Sequence, residues 1–123
     1  MLVLAAVLMV ALVFARQWPR DQTIHYILGD AAKRVEEVDA RWATGTVAAE
    51  TIDQWSREAS FRYAPGNAPR IVTHEPRLPD GDYTVEIEIV ALADATEQRA
   101  RVRKHVTLSG GATSIELAES VPR

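Results

Sequence analysis

The chain has 123 residues, enough for one domain and too few for two independent cores. Its 14 basic and 17 acidic side chains leave a net charge of −3, which argues against a nucleic-acid partner, since such a surface carries a basic surplus. With no cysteine there is no disulfide framework, thiolate metal site, cysteine nucleophile or lipidated cysteine.

Residues 1–15, MLVLAAVLMVALVFA, carry no charge. As a helix they rise about 22 Å, short of the roughly 30 Å hydrocarbon core. Two membrane readings compete. One is an uncleaved anchor in a locally thinned bilayer, with Trp18 at the interface and Arg16 and Arg20 within reach of lipid phosphates. The other is the apolar part of an export signal, with the small residues Val13 and Ala15 before a cut at Arg16. No Lys or Arg precedes the run, which weighs against the signal. A buried element of a soluble fold fits least, because the run has no polar stripe. Either membrane reading puts the rest of the chain in the cell envelope: anchored in the inner membrane and facing the periplasm, or secreted to the periplasm if the leader is cleaved. Residues 16–22, RQWPRDQ, read as a juxtamembrane linker in which Pro19 stops the helix.

From residue 23 the pattern is mostly period two, which predicts strands. Residues 23–28 put Ile24, Tyr26 and Leu28 on one face and end at the turn pair Gly29-Asp30. Val38, Ala40 and Trp42 alternate with Glu37, Asp39 and Arg41, and Thr44-Gly45 turns. Residues 47–59 are ambiguous: Ala48, Ile52, Trp55 and Ala59 follow helical spacing, but a strand pair suits so small a domain better. Ala59, Phe61 and Tyr63 alternate next, followed by the turn Pro65-Gly66-Asn67. Residues 70–74, bracketed by Pro69 and Pro76, suit an edge strand.

The clearest strand is 83–91, with Tyr83, Val85, Ile87, Ile89 and Ala91 on one face and Thr84, Glu86 and Glu88 on the other. Through residues 93–96 it leads to 99–108, where Val102, Val106 and Leu108 share a face and Arg99, Arg101, Arg103 and His105 share the opposite one. Lys104 breaks the apolar face, suggesting a bulge or a position near the rim. Ser109-Gly110-Gly111 turns into a last strand carrying Ile115 and Leu117. About seven short strands with regular turns predict an all-β antiparallel sandwich over residues 23–119, preceded by a hydrophobic helix.

One motif is more specific than periodicity. Leu78-Pro79-Asp80-Gly81-Asp82-Tyr83-Thr84-Val85 is a turn entering a strand, and it is followed by Val106-Thr107-Leu108-Ser109-Gly110-Gly111 and the run to Leu117. Over residues 77–118 this resembles small bacterial transthyretin-like and immunoglobulin-like sandwich modules, of the carboxypeptidase regulatory-like or PEGA type. The glycine-tyrosine pair usual in the middle of that hairpin is missing from 91–95. The resemblance implies an accessory or scaffolding domain with no catalytic residues. Independently of it, Asp80-Gly81 supplies a tight turn, and Tyr83 can bury its ring while its hydroxyl bonds to nearby backbone.

A search for chemistry finds little. His25, His74 and His105 fall on three predicted strands with no partner histidine at metal-ligand spacing. Nucleophilic-serine and phosphate-loop patterns are absent. Glu86 and Glu88 would lie opposite the arginine row as a solvated charge ladder. Tyr26, Trp42, Trp55, Phe61, Tyr63 and Tyr83 read as the large core residues; two or more of Trp42, Trp55 and Tyr63, exposed and coplanar, would instead make a sugar platform.

The sequence thus predicts a non-enzymatic envelope domain with no catalytic, cofactor or metal residues and no cofactor. Residues 1–15 would contact the membrane. Arg99, Arg101, Arg103 and His105 form the candidate interaction surface, facing an acidic partner or lipid headgroups, and the expected partner is another envelope protein. The competing readings are a glycan-binding accessory module and a small subunit of a larger membrane assembly.

Overall fold

A computed structural model describes residues 2–17, 19–45, 55 and 57–122, with side chains in the first helix given for 3–12. The apolar run forms helix α1 (Leu2–Gln17), whose termination fits the missing N–H of Pro19. Its large side chains are exposed, from 54% at Val10 to 77% at Val3, so the run is not a buried element of the domain. No helix among the described residues is long and apolar enough to cross a membrane.

The rest is mostly β, in several sheets. Strands β2 (Thr23–Ile27), β3 (Val35–Thr44), β4 (Arg57–Arg62), β5 (Ile71–His74), β7 (Gly81–Ala93), β8 (Thr96–Leu108) and β9 (Ala112–Glu116) match the seven runs of alternation. Two-residue strands β1 (Arg20–Asp21) and β6 (Arg77–Leu78) pair with each other. One sheet has the order β5-β2-β9 and the other β4-β3-β7-β8. Ile24, Tyr26, Val72 and Ile115 from the first share one buried cluster with Val38, Ala40, Trp42, Val85, Ile87 and Ile89 from the second. The Trp42 indole N–H donates to the Tyr26 hydroxyl across the layers at 3.2 Å. Two sheets facing one core are consistent with a β-sandwich.

Several expectations need correction. The ladders are not all antiparallel: β2 and β9 run parallel, which is possible because the two strands are distant in sequence and no hairpin joins them. The ordered β structure begins at Arg20, inside the predicted linker. Gln22 is fully buried; its amide donates to the Leu78 carbonyl and the Asp80 carboxylate, both at 2.9 Å, and its oxygen accepts from the Gly110 N–H. Gln22 thereby ties the entry of the chain to the turns before β7 and before β9. No bulge interrupts the β7–β8 ladder at Lys104, which lies opposite Val85. Of the ambiguous stretch 47–59, residues 57–59 are strand, Trp55 is outside any element, and the others lie outside the described residues.

The turn chemistry behaves as its residues dictate. Tyr83 is buried, and its hydroxyl donates to the Pro79 carbonyl at 2.6 Å, holding the corner where β7 begins. Asp94 and Ala95 form the two-residue loop between β7 and β8 with φ of 52° and 63°, the left-handed pair that matches the twist of a hairpin.

Candidate interaction surface

The outer face of the four-stranded sheet carries the densest chemistry among the described residues. Three rows cross it from β4 to β8. They read Arg62, Glu37, Val90, Arg99; then Ser60, Asp39, Glu88, Arg101; then Glu58, Arg41, Glu86, Arg103. Alternation in each strand turns these side chains away from the core, and the ladder registers bring opposite charges side by side at every charged pair except Asp39 and Glu88, which are like charges directly opposite.

The predicted surface residues are brought together with the two glutamates. Glu88 accepts from Arg99 at 2.8 Å and from Arg101 at 3.1 Å, and these arginine bonds hold its carboxyl below the ordinary value. Glu86 accepts from Arg41 and Arg103, with the Arg101 Nε 3.4 Å away. Burial pushes the Glu86 carboxyl up, but bonds from Arg41 and Arg103 and the charges of Arg41 and Arg101 outweigh it and leave the group depressed. His105 lies one row further along, where its Nδ1 is 3.1 Å from the Thr84 hydroxyl. That hydroxyl donates to the Gly45 carbonyl at 2.8 Å, so the imidazole nitrogen is the donor to Thr84.

The solvated-ladder reading therefore holds for Glu88 and fails for Glu86. The Glu88 side chain is 23% exposed and that of Glu86 only 5%. The physical reason is Arg41, which approaches Glu86 from β3 and closes the side that the hairpin alone leaves open. Its guanidinium is in turn covered by Trp55, 4.5 Å from the ring centroid. Trp55 thus stacks on the charged face and does not join the core, and Trp42 is fully buried and takes no part in an aromatic platform for a sugar.

A groove of about 470 Å³ opens over this face, lined by Asp39, Arg41, Glu58, Ser60, Glu86, Glu88 and Arg101. Asp39 Oδ1 and Arg103 Nε are buried without a hydrogen-bond partner among the described residues. Asp39 was legible only as one member of an alternating Glu37, Asp39, Arg41 series; the pairing of that series with β7 could have flagged both it and Arg41.

The histidines stay apart. On the three-stranded sheet, His25 Nδ1 of β2 is 3.4 Å from the hydroxyl of its cross-strand neighbour Thr73 on β5. His74 Nδ1 is 3.2 Å from the Tyr26 hydroxyl, which already accepts the Trp42 N–H and so donates to His74. Burial and the charge of Arg57 push the His74 imidazole below its ordinary value, in keeping with a neutral ring that accepts. No group of three or more His, Asp or Glu among the described residues is placed to hold a metal ion. Comparison with family models, with curated proteins and with solved structures finds no match to the chain.

Proposed function

We propose that this protein is a non-catalytic domain of the bacterial cell envelope, held at the inner membrane by α1 and presenting the charged outer sheet face to another envelope protein. The observation that carries the reading is the contrast between its two parts. Seven large apolar side chains of α1, from Val3 to Leu12, have no protein cover, and an apolar surface of that kind is normally covered by lipid or a partner. The β domain starts three residues after the helix ends. Its outer face is a fixed mosaic of ion pairs suited to reading the charge pattern of a partner. The apolar part of the helix, residues 2–15, spans about 21 Å, which only a locally thinned bilayer accommodates. Of the sandwich families, the immunoglobulin-like and transthyretin-like modules are the ones this reading favours; the bond from the Tyr83 hydroxyl to Pro79 supports it.

Flotation of the full chain with phospholipid vesicles tests the proposal. The protein should rise with the vesicles, and the double variant Leu8→Asp/Leu12→Asp should stay at the bottom of the gradient. Equal flotation of both, or of neither, would refute anchoring through α1.

A further inference from the structure

The outer edge of β8 is open: β8 ends the order β4-β3-β7-β8, and among the described residues no strand pairs with its far side. The two-residue turn fixes which backbone groups point there. Ala93 and Thr96 close the turn and so form a hydrogen-bonded pair. The ladder then runs one-to-one to Gly81 and Leu108, so even-numbered residues of β8 bond to β7. Odd-numbered ones, among them Arg99, Arg101, Arg103 and His105, aim their N–H and C=O groups outward. The residues that offer an unpaired backbone are thus the same ones whose side chains form the positive row.

Natural edges are usually protected by shortness, proline or a bulge. β8 has 13 residues, no proline and an unbroken ladder. Its protection is charge. A second copy pairing antiparallel through these outward groups would set arginine against arginine in every central register, such as Arg101 opposite Arg103, which is unfavourable. A strand with carboxylates in alternate positions meets the reverse situation. Beside β8, Glu86 and Glu88 serve the four guanidiniums of Arg41, Arg99, Arg101 and Arg103, with Glu97 3.8 Å from Arg99, while Glu37, Asp39 and Glu58 lie further across the face on β3 and β4. Arg99 and Arg101 keep 62% and 64% of their side-chain surface exposed. A strand added at the usual spacing of about 4.8 Å brings its side chains within their reach.

We infer that the β8 edge accepts an extended acidic segment of a partner protein as a fifth strand, antiparallel to β8, with carboxylates in alternate positions opposite Arg99, Arg101 and Arg103. Main-chain bonds supply affinity and the arginine row supplies selectivity and register. The inference rests on the interaction-surface reading above and names the partner's chemistry and docking mode.

The test titrates the full chain in detergent micelles with a labelled synthetic peptide, Glu alternating with Val, long enough to span residues 99–105. Fluorescence anisotropy reads binding, and amide hydrogen exchange locates it. The Glu-Val peptide should bind saturably and slow exchange at the odd-numbered amides of β8. Replacing Glu with Lys, or N-methylating the Glu residues, should weaken binding by about tenfold or more. N-methylation of the Val residues, whose N–H groups face away from β8, should change it little. The exposed Arg99→Ala variant should bind several-fold more weakly with an unchanged circular-dichroism spectrum. Absence of binding, equal binding of the Glu-N-methyl or Lys peptide, or protection away from β8 would overturn the inference. Vesicle flotation is independent of this edge, so the loss of one leaves the other readable.

Discussion

Replacing Glu86 with Gln probes the charged face most sharply. The carboxylate is nearly buried, and its two strongest bonds come from Arg41 and Arg103, whose side chains are 39% and 28% exposed. Hydrogen bonds to a charged group contribute about 1.5–3 kcal/mol each, and breaking a buried ion pair by removing one partner costs about 3–5 kcal/mol. The arginines here retain partial access to water, so the expected loss is about 2–4 kcal/mol. Gln keeps the shape but supplies one acceptor where two oxygens served, and its amide N–H₂ meets guanidinium donors. Glu88→Gln is the internal control: its arginines are about two-thirds exposed, and such pairs contribute about 0–1 kcal/mol. Thermal melts of the full chain in mild detergent, followed by far-ultraviolet circular dichroism, should show Glu86→Gln lower by about 10 °C or more and Glu88→Gln lower by only a few degrees. Equal shifts for the two variants would refute the argument that Arg41 turns one rung of the ladder into a buried cluster.

Three other outcomes follow from particular residues. His74 has a folded value below its unfolded 6.5, so its neutral form favours folding above that pH. As pH falls from 6.5 toward the folded value, the unfolded chain takes up a proton that the folded chain refuses, and stability declines. His74→Asn, which keeps an acceptor for Tyr26, should flatten that part of the stability–pH curve in denaturant titrations, leaving the loss below about pH 4.5 that comes from the depressed Glu86 and Glu88. Ala95 has a φ of 63°, a strained conformation for any residue with a Cβ, so Ala95→Gly should raise stability by about 0.5–1 kcal/mol in the same titrations. Trp42→Ala removes a fully buried ring that contacts Tyr83 edge-on and bonds to Tyr26, and should cost about 3–5 kcal/mol by chemical denaturation.

The strands were legible because period-two alternation is a local property. Ile24, Tyr26 and Leu28, or Val85, Ile87 and Ile89, reveal a buried face without reference to any neighbour. Neighbours across a sheet are another matter. The β7–β8 pairing could be read because a short turn fixes it, so the opposition of Glu86 and Glu88 to the arginines was foreseen. The register of β3 against β7 depends on packing between residues 39 to 56 positions apart, and with it go Arg41 and the burial of Glu86. Gln22 looked like linker because an isolated glutamine gives no sign of burial; three partners from two distant turns satisfy it. Trp55 reads as core on hydrophobicity alone, but its ring also offers a face to a cation and lies over Arg41.

The central claim is that α1 holds this domain at a membrane. Fractionation of cells producing the full chain, with an alkaline carbonate wash and intact-mass measurement of each fraction, tests it most directly. The account predicts a full-length protein retained in the washed membrane pellet, with the β domain open to protease added from the periplasmic side. A full-length protein recovered wholly in the soluble fraction would contradict it.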